Sequence, residues 1–302
     1  MKAWWLRLHR WIVLLFALPL TVVIITGLVL SFEPWLVVRA IQPGSLTLEK
    51  TEAILNQHDP RGQARGLAYR SHDDTLTLGG GRGGGTVVDV ASGQVRSRPS
   101  AQTSFMGTSR RLHETLIIGA RWLVITSTVA MILIILLGVL MGLPRFANTL
   151  GGWHKAIAWG LLPFLILSPL TGLFMSAGLT FMGLTAVPSS PRDMQLSLAQ
   201  AVKVVAREHD LSALVWIRPQ GGRMLARLAE GGEFRVFAVT LEGVTALPRN
   251  WPRLWHEGNF AGAWSAAMNV IISLAMMGLL GTGLWIWLGP KLRRRVRRSV
   301  TA

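Results

Sequence analysis

Four long apolar runs dominate the pattern of the chain. They extend roughly from Trp11 to Phe32, Trp122 to Leu143, Ala156 to Ala177 and Trp264 to Leu288. A helix needs about 20 apolar residues to cross the hydrocarbon core of a bilayer, and each run reaches that length. The pattern therefore predicts four transmembrane helices. We expect the first to stay in place rather than be removed as a signal, because no small-x-small cleavage site follows it.

The segments that follow the first and third runs have a different pattern. Each begins with an amphipathic helical pattern, which Leu46 to Leu48 open in the first segment and which reaches His58, and which Leu196 to Leu198 open in the second and which reaches His209. Short alternating strands follow: 66–70, 75–78 and 86–90 in the first segment, and 213–218, 223–228 and 234–241 in the second. We expect two small α+β domains, each a helix on a three-stranded antiparallel sheet. Domains of this size are near the limit of independent stability, so they should lean on the membrane helices or on each other.

Composition agrees with a membrane protein, since half of the 302 residues are hydrophobic, 15% are charged and the mean hydropathy is +0.41. A net charge of +16 would also be typical of nucleic-acid binding, but the placement of the bases argues against that partner. Bases flank the predicted cytoplasmic ends of the runs: Lys2, Arg7, Arg10, Arg145, Lys155, Lys291, Arg293, Arg294, Arg295, Arg297 and Arg298. This positive-inside pattern predicts a bacterial inner-membrane protein with both termini cytoplasmic. The basic tail is expected to act as a stop-transfer anchor or to lie against the anionic headgroups of the lipid bilayer.

The resulting organisation has five parts. Residues 1–35 carry the first helix, 36–110 the first extracytoplasmic domain, 111–178 the second and third helices, 179–255 the second domain, and 256–302 the last helix and the basic tail. The predicted fold is a four-helix membrane bundle with two small α+β domains.

The second half of the chain repeats the first with a shift of about 145 residues. His9 aligns with His154, and each precedes a Thr-Gly pair by 17 residues (26 minus 9, and 171 minus 154). His113 aligns with His256, and both belong to the pattern H-E-x-x-x-x-G. The spacings between the two histidines of each half are 104 and 102 residues (113 minus 9, and 256 minus 154). We interpret the chain as an internal duplication.

The predicted topology sorts the four repeated histidines into two pairs. His9 and His154 fall at the cytoplasmic ends of the first and third helices, whereas His113 and His256 fall outside the second and fourth. Two imidazoles from facing helices suit the opposite faces of a haem iron. Interfacial histidines that bind nothing, or a zinc or copper pair completed by Glu114 and Glu257, remain alternatives. If the second helix were continuous from His113 to Leu143, 30 residues (143 minus 113) would separate the sites by about 45 Å.

Other residues fit a haem as well. The propionates need cations, which Arg7, Arg10 and Lys155 offer to the inner pair and Arg110, Arg111, Arg121 and Arg253 to the outer pair. Glycines near the helix ends leave room for a flat macrocycle or for close helix packing; they are Gly138, Gly142, Gly281 and Gly283 on the inner side and Gly27 and Gly172 on the outer side. The chain contains no cysteine, which excludes cysteine-ligated iron–sulfur clusters and covalent c-type haem.

These motifs resemble a known family. The hairpin ending Val87 to Val95 looks like a PepSY domain, and L-H-R, R-L-H-E, W-H-K and W-H-E beside the four helices resemble the PepSY-associated transmembrane-helix family. The resemblance implies two b-type haems and the reduction of ferric siderophores. Some relatives carry a cytoplasmic flavin and nicotinamide module, but only 13 residues follow Gly289 (302 minus 289), so we expect none on this chain.

We therefore predict an oxidoreductase that holds two haem b groups, with His9, His154, His113 and His256 as the axial iron ligands. Electrons would pass from a cytoplasmic or membrane donor to an extracytoplasmic acceptor, by resemblance a ferric siderophore. The rival interpretation is a non-enzymatic PepSY scaffold without haem. A divalent-metal transporter is disfavoured, because no acidic residue lies inside the four apolar runs.

Overall fold

A computed structural model describes residues 2–79, 85–117, 119–143, 145–181 and 196–300, with side chains as far as residue 291. The side chains of most of the basic tail and residues 182–195 of the predicted second domain lie outside this description. The first half of the chain forms α1 (Lys2–Leu30), α2 (Glu33–Ala40), α3 (Leu48–His58), β1 (Gly66–Arg70), β2 (Thr75–Gly79), β3 (Thr86–Asp89), α4 (Ala101–Thr115) and α5 (Arg121–Leu140). The second half forms α6 (Leu150–Gly160), α7 (Leu162–Ser176), α8 (Leu198–Glu208), β4 (Leu214–Gln220), β5 (Arg223–Glu230), β6 (Glu233–Val239), β7 (Val244–Ala246), α9 (Trp251–Glu257) and α10 (Gly262–Val300).

Within the described residues, three helical stretches are long and apolar enough to cross a membrane: α1 with α2, α5, and residues 262–291 of α10. The third predicted helix differs from the expectation of one straight span. It is divided into α6 and α7, which meet at an angle of 65° and count as a fourth span if they cross together. Pro163 at the start of α7 explains the break, because proline has no N–H to continue the hydrogen bonds of α6.

The membrane helices share an apolar core. Its buried members come from three helices, namely Leu20 and Ile24 of α1, Leu165 of α7, and Ile272 and Met276 of α10. Met131 and Ile134 of α5 pack against them. All four helical elements therefore contribute side chains to one core.

The described strands form one antiparallel sheet in the order β3-β2-β1-β4-β5-β6-β7. Helices α3 and α8 cover one face and share a buried core with it, including Ile54 from α3 and Val205 from α8. Both helices begin with a capping hydroxyl, Thr47 for α3 and Ser197 for α8. The predicted strands match the observed ones within a few residues, apart from β7, which was not predicted.

The sheet consists of a first strand group (β1–β3) and a second strand group (β4–β7), which are joined through β1 and β4. Leu67 pairs with Ile217, and Ala68 pairs with Trp216. Leu67 and Ile217 are almost fully buried, at 2% and 0% exposure, so this pairing lies in the middle of the core. The structure thus differs from the expectation of two separate three-stranded sheets: each unit closes its edge on the other, which removes two exposed edges.

Candidate functional site

The glycine of the repeated H-E-x-x-x-x-G pattern separates each outer histidine from the membrane helix that follows it. Gly119, with φ of 73°, lies between α4 and α5, and Gly262, with φ of 55°, begins α10. Positive φ favours glycine, which explains why both halves have it at this position. His113 and His256 therefore belong to the separate helices α4 and α9, which pack against α1 and α7 respectively.

His113 is held by the backbone of α1. Its Nδ1 donates a hydrogen bond to the Val23 carbonyl at 3.0 Å. The Thr26 hydroxyl oxygen lies 3.2 Å from the same nitrogen, and that hydroxyl donates to the Val22 carbonyl at 2.7 Å. A Cβ at Gly27 would come within 3.2 Å of the imidazole Cε1.

His256 is held by α7 in the same way. The residue whose carbonyl accepts its hydrogen bond, Ser168, lies 145 residues after Val23 (168 minus 23). Its Nδ1 donates to the Ser168 carbonyl at 3.1 Å, and the Thr171 hydroxyl oxygen is 3.4 Å away. A Cβ at Gly172 would lie 2.8 Å from Cε1 of the ring. The repeated Thr-Gly pair thus seats a histidine: the threonine faces Nδ1 and the glycine leaves space for the ring.

This position of Gly27 and Gly172 refines the expectation that they make room for a macrocycle. At both glycines the nearest side chain is the histidine itself. On the inner side, Gly283 lies beside His154, where a Cβ would be 3.5 Å from Cε1.

His113 and His256 face each other. Their ring centroids are 5.9 Å apart and their planes are inclined by 46°. A carbonyl oxygen can only accept a hydrogen bond, so the proton of each neutral imidazole is on Nδ1. Each Nε2 then keeps a free lone pair, which is the form in which histidine binds a metal.

The inner histidines carry their protons on the same nitrogen. His9 Nδ1 donates to the Ile134 carbonyl of α5 at 3.0 Å. His154 Nδ1 lies 2.8 Å from the Thr282 hydroxyl of α10, whose own proton goes to the Gly278 carbonyl at 2.7 Å. All four repeated histidines therefore leave Nε2 free. Unlike the outer pair, His9 and His154 make no ring contact with each other among the described residues.

The separation of the two histidine levels is shorter than a continuous second helix implies. His113 bonds to Val23, which is 14 residues from His9 on α1 (23 minus 9). His256 bonds to Ser168, which is also 14 residues from His154 (168 minus 154). In α1, fourteen helical residues span about 21 Å, well below the 45 Å of a straight second helix, and the 65° bend between α6 and α7 makes the second distance shorter still. The reason is that α4 folds back at Gly119.

The basic residues expected to accompany the histidines have different surroundings. Arg110 forms ion pairs with Glu33 and, at 3.9 Å, with Glu114. Arg121 donates to the Ser176 carbonyl at 3.3 Å, and Arg111 donates to Thr108 within its own helix at 3.4 Å. The three bases near the inner pair are exposed; they are Arg7, Arg10 and Lys155.

One charged contact of the outer site was not predicted. Arg227 of β5 is only 8% exposed and donates to Glu257 Oε2 at 2.6 Å, directly beside His256 in the chain. Burial alone would raise the pKa of Glu257, but Arg227 and Arg253 outweigh it and lower the pKa to about 2. The sequence does show an arginine within an apolar strand, which indicates that Arg227 needs a partner. It does not identify Glu257 as that partner, because the two residues are 30 positions apart (257 minus 227).

The carboxylates do not join the histidines as metal ligands. Glu257 is engaged by Arg227 and also accepts from Asn259 at 2.7 Å, while the Glu114 side chain is 60% exposed. Over the part of the chain that the structure describes, no group of three or more His, Cys, Asp or Glu side chains is placed to hold a metal ion. Among the described residues, the outer site thus offers two imidazoles, those of His113 and His256, as candidate ligands.

Comparison with known proteins gives one informative match. The family model described as the PepSY-associated TM region matches residues 6–289, nearly the whole chain. No curated protein matches at a significant level.

Proposed function

Given that the chain belongs to the PepSY-associated transmembrane family and is a multi-pass membrane protein, we propose that it carries electrons across the membrane through two b-type haems. The observation that carries this proposal is the outer histidine pair. The centroids of its two rings are 5.9 Å apart, and each Nδ1 donates a hydrogen bond to a backbone carbonyl, of α1 for His113 and of α7 for His256.

The donor set fits a haem iron. His113 and His256 approach from helices α4 and α9, and their Nδ1 hydrogen bonds fix ring orientation and make Nε2 the metal-binding nitrogen. His9 and His154 would form the corresponding inner pair. A haem between two such histidines supplies one-electron redox chemistry with little rearrangement. The apolar core around Leu20, Leu165 and Met276 lies between the two levels and keeps water out.

The repeated contacts support the finer architecture that we propose. The four spans, counting α6 with α7 as one, arise from duplication of a unit of two helices and one extracytoplasmic domain. Both termini are cytoplasmic in the bacterial inner membrane. Reporter fusions at Ser92 and Gly231 should be active outside the cytoplasm; activity only inside would contradict this topology.

The direction of transfer follows from this topology. A cytoplasmic or membrane donor supplies electrons on the side of His9 and His154, and an extracytoplasmic acceptor takes them near His113 and His256. The family resemblance points to a ferric siderophore as the acceptor. Reduction of Fe(III) to Fe(II) weakens its bonds to oxygen ligands, so the chelate releases the metal.

Haem content tests the proposal directly. The purified protein should contain about two non-covalent haems per chain, extractable with acidic acetone and visible as a b-type spectrum. Alanine at His113 or His256 should remove one haem, and alanine at His9 or His154 the other. His58→Ala is the control, because His58 lies at the end of α3, outside the two histidine pairs, and its Nε2 donates to the Gly93 carbonyl at 2.8 Å.

A wild-type protein that never contains or binds haem would favour the non-enzymatic scaffold instead. If haem were present but all four histidine variants kept it in full, the ligand assignment would be wrong.

A further inference from the structure

Arg227 is a buried cation with unused hydrogen-bonding capacity. It lies on β5 and uses one terminal nitrogen to donate to Glu257, but its buried Nε–H has no acceptor. Arg253, one helical turn before Glu257 on α9, has a buried Nε in the same condition, 3.5 Å from Glu257 Oε1 without hydrogen-bond geometry. A buried donor without an acceptor costs free energy, so two of them beside His256 call for an explanation.

The charges around these two arginines are also unbalanced. A third arginine, Arg218 of β4, stacks on Trp216 at 4.3 Å, and its pKa is lowered by burial and by Arg253 and Arg227. The described acid that forms an ion pair within this three-arginine cluster (Arg218, Arg227, Arg253) is Glu257. Three positive charges against one leave an excess of two (3 minus 1). Arg110 does not add to it, because Glu33 pairs with that side chain; Glu114, which approaches Arg110 at 3.9 Å, is 60% exposed and is left out of the count.

We infer that Arg227 and Arg253 form a carboxylate-binding site beside His256. A carboxylate would accept hydrogen bonds from guanidinium groups that now lack acceptors, and two carboxylates would balance the excess charge. One source of such groups is the pair of propionates of a haem held by His113 and His256, so this inference rests on the proposed function. The other source is an acidic iron chelate that docks at the outer site.

Haem dissociation distinguishes the two sources. We would use a His9→Ala, His154→Ala background, so that only the outer site is loaded, and follow transfer of haem to excess apomyoglobin. Arg227→Gln and Arg253→Gln should each accelerate haem loss at least about tenfold, as expected when a charge-assisted hydrogen bond is removed. Arg227→Lys should have a smaller effect, because it keeps the charge but not the planar fork.

Arg249→Gln is the matched control. Arg249 also binds a glutamate of the same sheet, Glu233 at 2.9 Å, but its side chain is 45% exposed and takes no part in the three-arginine cluster. Haem loss from this variant should equal that of the parent protein. If Arg227→Gln does not fold, Arg253→Gln carries the test, since the Arg253 side chain is 37% exposed and easier to replace.

Esterified haem provides the second measurement. Haem dimethyl ester lacks free carboxylates, so it should leave the parent protein at least as fast as ordinary haem leaves either arginine variant. With the ester bound, the arginine substitutions should cause no further acceleration relative to the parent protein, because the carboxylates with which they interact have already been removed. In a separate binding measurement, ferric citrate serves as the probe for an acidic chelate.

The outcomes separate as follows. Faster haem loss in both arginine variants, or weaker ferric citrate binding in them, supports the carboxylate site and identifies its source. Unchanged haem loss together with unchanged citrate binding overturns it while leaving the haem proposal intact. A parent protein that takes up no haem at all would overturn the proposed function itself, and the citrate measurement would then decide the carboxylate site alone.

Discussion

Single glycines control the seats of the outer histidines. A Cβ at Gly172 would lie 2.8 Å from His256 Cε1, closer than real Cβ contacts, whereas the corresponding distance from Gly27 to His113 is 3.2 Å. We expect Gly172→Ala to displace the ring and weaken haem binding at the outer site, with a smaller loss for Gly27→Ala. Haem content and the low-spin spectrum of each purified variant measure the effect.

The control for these variants is Gly278→Ala in α10, where a Cβ would meet nothing within 4 Å. It should keep a wild-type spectrum. Equal haem loss in Gly278→Ala and Gly172→Ala would show that the effect comes from helix packing in general rather than from the histidine seat.

The edge of the first strand group depends on two carboxylates that bind Arg96. Asp89 accepts from the Ser92 backbone and hydroxyl, both at 2.8 Å, and Arg96 reaches Asp89 at 2.6 Å and Asp73 at 3.0 Å. Hydrogen bonds from Ser92 and then Arg96 lower the pKa of Asp89. Burial opposes a lower pKa for Asp73, but hydrogen bonds from Thr103 and Ser100 and the charge of Arg96 outweigh it.

Because both folded-state pKa values lie below the unfolded ones, their stabilising contribution is present above about pH 4 and is lost as the pH falls through the folded values. The protection of β2 and β3 against hydrogen exchange, taken relative to the intrinsic exchange rate at each pH, should therefore fall below about pH 4 in the wild type. In Asp89→Asn this acid dependence should be smaller, and at neutral pH the variant should already exchange faster. An unchanged pH profile in Asp89→Asn would exclude a role for this carboxylate.

The β1–β4 pairing should make the two strand groups unfold together. Ile217 is fully buried at this joint, and its truncation to alanine should cost roughly 3 kcal/mol by loss of packing and creation of a cavity. We expect Ile217→Ala to increase hydrogen exchange in β2 as well as in β5. The exposed Val95→Ala is the comparison, and faster exchange confined to the second group would mean that each group is stable separately.

At the scale of the whole molecule, loss of the inner histidine pair and loss of the outer pair should block electron transfer at different steps. In sealed vesicles, a His9→Ala, His154→Ala variant should lose reduction by a cytoplasmic donor but still respond to a chemical reductant added outside. A His113→Ala, His256→Ala variant should accept electrons inside yet reduce no external ferric siderophore. The reason is that electron transfer through two haems stops when either haem is missing, while the remaining haem can still exchange electrons from its own side of the membrane. Equal siderophore reduction by the wild type and the outer variant would refute the proposed outer site.

Much of this protein follows from its sequence alone. Runs of about 20 apolar residues have few alternatives to membrane helices, and the period of the apolar residues identified α3, α8 and most strands. The internal repeat singled out His9, His113, His154 and His256 without any structure, because matched spacings in two halves of one chain are independent of fold.

Tertiary structure decided what joins these parts. The fold-back of α4 and α9 at glycine brings His113 against Val23 and His256 against Ser168, and only then do the two rings face each other. The pairing of β1 with β4 and the contact of Arg227 with Glu257 link residues far apart in the chain. Local periodicity carries no information about such pairs, because an open strand edge or a buried arginine accepts any partner of the right geometry, and packing of the whole molecule selects one.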